Sequence, residues 1–282
     1  MTLLQALVLA IVQGLTELFP VSSLGHAVLL PALLHWNLDE RSELFLPFLT
    51  MLHFGTLVAL FCFFWRDWLA IFTGAFGRYG AARREEAIRI LVLLVIATIP
   101  VVIFGAVFEH RLKVIFGTPV AVALFLFLNG LILLVTEWMR SYKGRRPQRA
   151  IADMSAKDAL VIGCWQCLAL FPGISRSGST INAGLVRGLN HETAARFSLL
   201  MAQPAVFAAT VHEAWQLRHM TVSHDMAQIS VIAAVAAGIT ALISTAVLLK
   251  YFRNHDRWAL SPFAFYCMGA GLFSLLVLVL FR

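Results

Sequence analysis

QGLTELFPVSSLGH (residues 13–26) and QCLALFPGISRSGST (residues 166–180) are two versions of one pattern. Each starts on a Gln, reaches Phe-Pro, turns through serines and arrives at a Gly. A one-residue gap on either side of the proline brings the rest into line. Both stretches lie inside apolar sequence. Polar and ionisable side chains are costly at membrane depth, so where they recur they are read first as a functional site.

Composition supports the membrane. The chain is 60% hydrophobic and 13% charged, with a mean hydropathy of +0.82. A soluble domain of this length does not have that balance. The net charge of +7 does not point to nucleic acid, because the basic residues sit in short loops between apolar runs, which is a pattern of membrane topology. The cysteines Cys62, Cys164, Cys167 and Cys267 all fall in apolar segments. Cys164 and Cys167 form a C-x-x-C without a second pair or a His cluster, so all are read as small buried hydrophobes. Residues 1–12 lack a basic leader and a small-residue cleavage site, so the N-terminus is expected to be retained.

Six stretches approach the roughly 20 residues that cross a bilayer: 47–65, 90–108, 118–139, 195–212, 227–250 and 259–281. Regions 2–34 and 159–189 are apolar but broken by Pro, Gly and Ser, and each half is too short to span. They read as re-entrant helix–turn–helix hairpins, a backbone tolerated at depth only when buried in protein or lining a wet cavity. Loop 66–89 carries Arg66, Arg78, Arg83, Arg84 and Arg89. Loop 140–158 carries Arg140, Lys143, Arg145, Arg146, Arg149 and Lys157, and turn 250–258 carries Lys250, Arg253 and Arg257. The alternate loops are poorer in basic residues, with Arg41, then Arg111 and Lys113, then Arg218. The positive-inside rule puts the rich loops in the cytoplasm and both termini outside. The hairpins then enter from opposite faces, which makes an inverted-topology repeat with its tips near the midplane. The expected fold is all-α integral membrane: about six transmembrane helices plus two re-entrant hairpins in one membrane domain over 1–282. Repeat one covers approximately 1–110, repeat two approximately 159–250, and 259–281 is the last helix.

A helix over 5–18 would place Gln13 and Glu17 on one face. Pro20 would end it, Ser22 or Ser23 would cap the next half-helix, and His26 would sit in that helix's first turn. The second motif offers Ser175, Arg176, Ser177, Ser179 and Thr180 after Pro172-Gly173. A Ser- and Gly-rich turn at a helix N-terminus presents free N–H groups and a positive dipole end, which suits phosphate. Arg176 adds a planar fork for phosphate oxygens. A carboxylate, a histidine and hydroxyls facing such an arginine match the parts needed for phosphoester or pyrophosphate hydrolysis.

Plainer readings exist for each residue. Gln13 alone suits an interhelical hydrogen bond. Ser22 and Ser23 suit caps, His26 a satisfied buried histidine, and Arg176 a counter-ion for Glu17. His53 opens a polar gap in an apolar helix and is read as structural. Glu109, His110, His212, Glu213, His219 and His224 fall in outer loops and are read as solvated. Glu137 and Glu192 fall at cytoplasmic helix ends and are read as caps or surface charges.

The first motif resembles the (E/Q)-x-x-x-E-x-x-P-V-S-S-x-G-H signature of bacterial undecaprenyl-diphosphate phosphatases, the bacitracin-resistance family. The second resembles their P-G-x-S-R-S-x-x-T signature. Length, hydropathy layout and the surrounding GCWQCLALFPG are also similar. The resemblance implies an inner-membrane enzyme, multi-pass, that converts undecaprenyl diphosphate to undecaprenyl phosphate and inorganic phosphate, recycling the lipid carrier of cell-wall synthesis. Its site would open to the outer, periplasmic side and use a divalent cation, Mg2+ or Ca2+. The expected partners are the polyprenyl lipid and the bilayer, with no nucleic acid and with a homodimer as the candidate assembly.

Carried over by position, the family's glutamate falls on Glu17, its serine on Ser23, its histidine on His26 and its arginine on Arg176. Gln13, Ser22, Gly173, Ser175, Ser177 and Thr180 are the substrate-binding candidates, and Glu17 with Gln13 the metal candidates. Gln13 stands where the family also uses Glu, and a neutral side chain there weakens a two-carboxylate metal site. Leu24 replaces a Thr common before Gly-His. The nucleophile is open among Ser23, His26 and an activated water, with His26 or Glu17 as base. The rival class is a transporter or flippase, because broken helices meeting at the midplane are also a transporter design. A type-2 phosphatidic-acid phosphatase would need a K-x6-R-P segment, which does not occur.

Overall fold

The computed structural model describes residues 1–36, 45–116, 118–141, 149–218 and 223–280. The described residues are helical throughout, with no strand among them. The first hairpin is α1 (Leu3–Thr16) and α2 (Ser23–Leu33), followed by α3 (Phe45–Phe63), α4 (Trp65–Ala75), α5 (Ala81–Phe116) and α6 (Pro119–Ser141). The second hairpin is α7 (Ala156–Gln166), a 3-10 turn over Cys167–Leu170, and α8 (Arg176–Val186). It leads into α9 (His191–Leu217), α10 (His224–Asn254) and α11 (Ser261–Leu280).

Five helices are long and apolar enough to cross a membrane, or six if α3 and α4 count as one broken span. The protein is therefore an all-α integral membrane protein. The expected span at 47–65 ends at Phe63, where the chain bends by 64° into α4. Part of the expected cytoplasmic loop 66–89 is helix instead. Arg66, Arg83 and Arg84 made it look like loop, but these charges lie on the exposed sides of α4 and of the first turn of α5.

Local chemistry sets the helix ends. Thr2 and Gln5 form a capping box at α1, and Ser155 and Asp158 form one at α7. Asn190 and Ser223 cap α9 and α10 through the amides of Thr193 and Met226. Each cap satisfies a donor that the first turn leaves without an intrahelical acceptor. The helices then pack through small residues, the usual device where lipid removes the hydrophobic drive between helices. A methyl group at Gly55 of α3 would lie 2.1 Å from the Ala234 carbonyl oxygen of α10, and one at Gly130 of α6 2.5 Å from that of Ala264 on α11. In the same way α1 lies on α10 and α7 on α5.

Several expectations change. Cys62 and Cys164 are exposed on outward helix faces and Cys167 is half-buried, so only Cys267 is a buried thiol. An apolar segment shows that a cysteine lies at membrane depth, but not which way it faces. Glu137 is neither a surface charge nor a cap for its own helix. It is 2% exposed and accepts from the Leu260 amide at 2.7 Å, and His191 Nε2 lies 2.6 Å from it. Asp256 and Arg140 complete this cluster, which ties α6 and α9 to the turn before α11. The hydrogen bond from buried His191, with Arg140 beside it, holds the Asp256 carboxyl well below the usual carboxylate range. Glu213 is half-buried rather than solvated and accepts a hydrogen bond from Thr50 of α3. His212 bonds Gln216, His224 is exposed, and Glu192 sits half-buried in the first turn of α9, where the helix dipole favours an acid. The Glu109 and His110 side chains and His219 lie outside the described residues.

Candidate active site

The tips of the two hairpins touch. A methyl at Gly25 would come within 3.3 Å of Gly173 Cα, and one at Gly178 within 3.4 Å of Pro20 Cβ. The first turn of each short second helix thus rests on the turn of the opposite hairpin. Gly173 has φ +102, and any Cβ there would stand 2.4 Å from the Val122 carbonyl oxygen of α6. Its identity follows from backbone and packing, before any role with phosphate.

Asn129 of α6 clasps the two turns. Its Nδ2 donates to the Pro20 carbonyl at 3.0 Å, while its Oδ1 accepts from the Ser175 amide at 3.0 Å. Ser177 Oγ donates to the Phe19 carbonyl at 2.8 Å, and Ser175 Oγ to the same oxygen at 3.4 Å. Thr180 Oγ donates back to the Arg176 carbonyl at 2.9 Å and lies 2.6 Å from Ser198 Oγ on α9. The hydroxyls of Ser175 and Ser177 therefore hold the hairpins together, and that of Thr180 ties α8 to α9.

α1 stops at Thr16 rather than at residue 18, with Glu17 as its C-cap. The pairing across one turn survives: Gln13 Nε2 donates to Glu17 Oε2 at 3.0 Å. Ser22 is the N-cap of α2 and accepts from the Gly25 amide, as Ser175 does from Gly178 at the start of α8. Ser22 holds a left-handed backbone, φ 64 and ψ 98, which costs a non-glycine residue about 1–3 kcal/mol. The clasp on Phe19 and Pro20 pins this bend, and the bend turns Ser23 toward Glu17.

Ser23 Oγ donates to Glu17 Oε2 at 2.5 Å. Arg176 Nη2 donates to Glu17 Oε1 at 2.9 Å. Ser23 and Arg176 each open their helix, so two positive dipole ends and their first-turn N–H groups converge beside one carboxylate. Glu17 is 9% exposed; a carboxylate so buried needs such partners, because stripping one from a buried pair costs about 3–5 kcal/mol.

His26 does not face Ser23. Its Nδ1 donates to the Ser22 carbonyl at 2.7 Å, and its Nε2 lies 2.7 Å from the Tyr266 hydroxyl of α11. His53, read as structural, instead enters the site: its Nδ1 donates to the Leu49 carbonyl and its Nε2 stands 3.7 Å from Glu17 Oε2. Its signal was the polar gap in an apolar helix. Asn129 and Tyr266 were missed; Asn129 left the same trace, while Tyr266 left none, since a Tyr in a span is an ordinary interfacial residue.

A divalent cation of the Mg2+ or Ca2+ class takes six or more oxygen ligands. Here one carboxylate is available, and both its oxygens already accept from Arg176, Ser23 and Gln13. Gln13 Oε1 is buried without a hydrogen-bond partner. Among the described residues no group of three or more His, Cys, Asp or Glu side chains could hold a metal. The residues present do not by themselves fit a resident cation.

The family model described as bacitracin resistance protein BacA matches residues 6–273. The chain is 68% identical over 280 residues to the undecaprenyl-diphosphatase of Gluconobacter oxydans, covering 99% of this chain and 100% of that one. It is 58% identical over 278 residues to that of Gluconacetobacter diazotrophicus, covering 99% and 98%. It is 40% identical over 278 residues to undecaprenyl-diphosphatase 2 of Chromobacterium violaceum, covering 98% and 99%. With a match that spans nearly its whole length, the chain belongs to the bacitracin resistance protein BacA family.

Proposed function

We infer that the protein is a phosphatase that hydrolyses undecaprenyl diphosphate to undecaprenyl phosphate and inorganic phosphate. By doing so it recycles the lipid carrier of cell-wall synthesis and confers bacitracin resistance. The relatives' names supply the substrate, and one observation carries the chemistry: Ser23 donates to a buried carboxylate that Arg176 holds from the other side. Nothing in those names favours transport.

In the proposed reaction Ser23 Oγ attacks the terminal phosphorus and gives its proton to Glu17. The bridging P–O bond breaks and undecaprenyl phosphate leaves. Water then attacks the phosphoserine, the Oγ–P bond breaks, and Oγ recovers a proton from Glu17. Arg176 and the first-turn N–H groups of α2 and α8 receive the phosphate oxygens, and His26 accepts the proton of the attacking water. Gln13 holds Glu17 in place, Ser22, Gly173, Ser175 and Ser177 shape and fasten the two turns, and Thr180 ties α8 to α9. A divalent cation, where the reaction uses one, would arrive with the diphosphate and neutralise its charge, and Gln13 Oε1, which has no hydrogen-bond partner, would be the protein oxygen able to turn toward it.

The two halves are read as an inverted repeat, α1–α2–α3–α5 against α7–α8–α9–α10. The reciprocal glycine contacts at the tips, the matching Ser22 and Ser175 caps, and the pairing of α1 with α10 and α7 with α5 all support this. The loop charges favour an inner-membrane orientation with both termini and the site mouth outside. An impermeant thiol reagent on intact cells should reach Gln216→Cys and miss Arg145→Cys; the opposite pattern sinks the orientation.

The function is tested with purified protein in detergent, measuring phosphate release from a polyprenyl diphosphate with and without chelator. Release that falls on chelation and returns with Mg2+ or Ca2+ is expected. No release under any of these conditions would remove the phosphatase reading.

A further inference from the structure

His26 is held at both nitrogens. The Ser22 carbonyl can only accept, so Nδ1 carries a proton and the neutral ring keeps its lone pair on Nε2. That lone pair is the part of the ring able to take a proton, and the Tyr266 hydroxyl covers it at 2.7 Å. The two rings lie nearly parallel, 7° apart with centroids at 5.7 Å.

Tyr266 differs from the other residues around the site. Glu17, Ser23, Ser175 and Ser177 are buried, whereas Tyr266 is 48% exposed on the outer face of α11. Phe265, Leu272, Phe273 and Leu276 are exposed on the same helix at 50% or more. α11 is a membrane-spanning helix that packs on α2, so this face meets hydrocarbon. Here a group able to act in the site is bonded directly to a side chain that lipid touches. The substrate has the same two-part character, a diphosphate for Glu17 and Arg176 and a polyprenyl chain that stays in lipid.

We propose that Tyr266 determines specificity for the polyprenyl chain: its hydroxyl caps His26 Nε2 until a chain seated against α11 displaces the Tyr266 side chain and frees that nitrogen. A diphosphate without a chain reaches the same carboxylate and arginine but leaves the cap closed. The discrimination available from one hydrogen bond is about 0.5–1.5 kcal/mol, a factor of roughly 2 to 10. This rests on His26 serving the phosphatase reaction.

The test compares farnesyl diphosphate with inorganic pyrophosphate on wild type, Tyr266→Phe and His26→Ala, in one detergent. Phe keeps the ring and its packing and removes only the hydroxyl. Tyr266→Phe should lower the ratio of kcat/KM for farnesyl diphosphate over pyrophosphate by about 2- to 10-fold. The 15N resonance of His26 Nε2 should move in the substrate-free Tyr266→Phe protein, and in wild type when a farnesyl methylenediphosphonate is added. An unchanged ratio, or a His26 resonance indifferent to the hydroxyl, overturns the gate while leaving the phosphatase reading standing. Full turnover of farnesyl diphosphate by His26→Ala removes the role of His26 and the gate with it.

Discussion

Ser23→Ala is expected to reduce phosphate release from a polyprenyl diphosphate by on the order of 10⁴-fold or more, the scale seen when a nucleophile is removed from a site that keeps its charge-stabilising groups. Ser23 Oγ lies 2.5 Å from Glu17 Oε2. His26 is turned away, bonded to Ser22 and close to Tyr266, and has no competing contact with Glu17. Alanine leaves Arg176 and both helix N-termini in place. Binding of a methylenediphosphonate analogue should therefore change by less than about 1.5 kcal/mol, the net contribution of one hydroxyl hydrogen bond. Single-turnover release and analogue binding, measured on the same preparation, check the two parts. Full activity in Ser23→Ala would end the serine mechanism.

Arg176→Lys should lower kcat/KM on the order of 10²-fold or more, comparable to losing one oxyanion donor and equivalent to roughly 2.7 kcal/mol of transition-state stabilisation. Lysine keeps the positive charge beside Glu17, so the buried carboxylate still has a counter-ion and folding is expected to survive. What it lacks is the planar fork that can hold Glu17 with one nitrogen and phosphate oxygens with others. The predicted signature is a fall in kcat without loss of membrane expression. Near-normal turnover would reduce Arg176 to a partner for Glu17.

The sequence revealed most where physics made polar residues expensive. Glu17, Ser23, His26 and Arg176 stood out because lipid should exclude them, and the structure brings Glu17, Ser23 and Arg176 into one hydrogen-bonded group. It keeps His26 one helical turn away, because a residue's place in a turn does not show which way its ring points. Ser175, Ser177 and Thr180 had the composition of an anion nest, yet the first two hydroxyls fasten the hairpins and the third ties α8 to α9. Their spacing is equally right for either task, and only partners distant in sequence, the Phe19 carbonyl and the Ser198 hydroxyl, decide it. Asn129 and His53 each left one polar gap in an apolar helix, too weak a trace to separate a clasp or a site wall from an ordinary interhelical bond.

Other errors came from contacts distant in sequence. Glu137 looked like a cap or surface charge because nothing nearby shows that His191 and the turn before α11 will cover it. Glu213 looked solvated because Thr50 lies far from it in sequence, on α3. The bend at Phe64 has no Pro or Gly to announce it.

The most direct measurement is a rapid-quench reaction of the wild-type protein with a polyprenyl diphosphate, followed by mass spectrometry of the peptide spanning residues 13–26. An acid-stable phosphate on Ser23, appearing in a burst with the released prenyl phosphate, is the expected result. An acid-labile phosphate on His26, or inorganic phosphate released with no covalent species at any quench time, would contradict it.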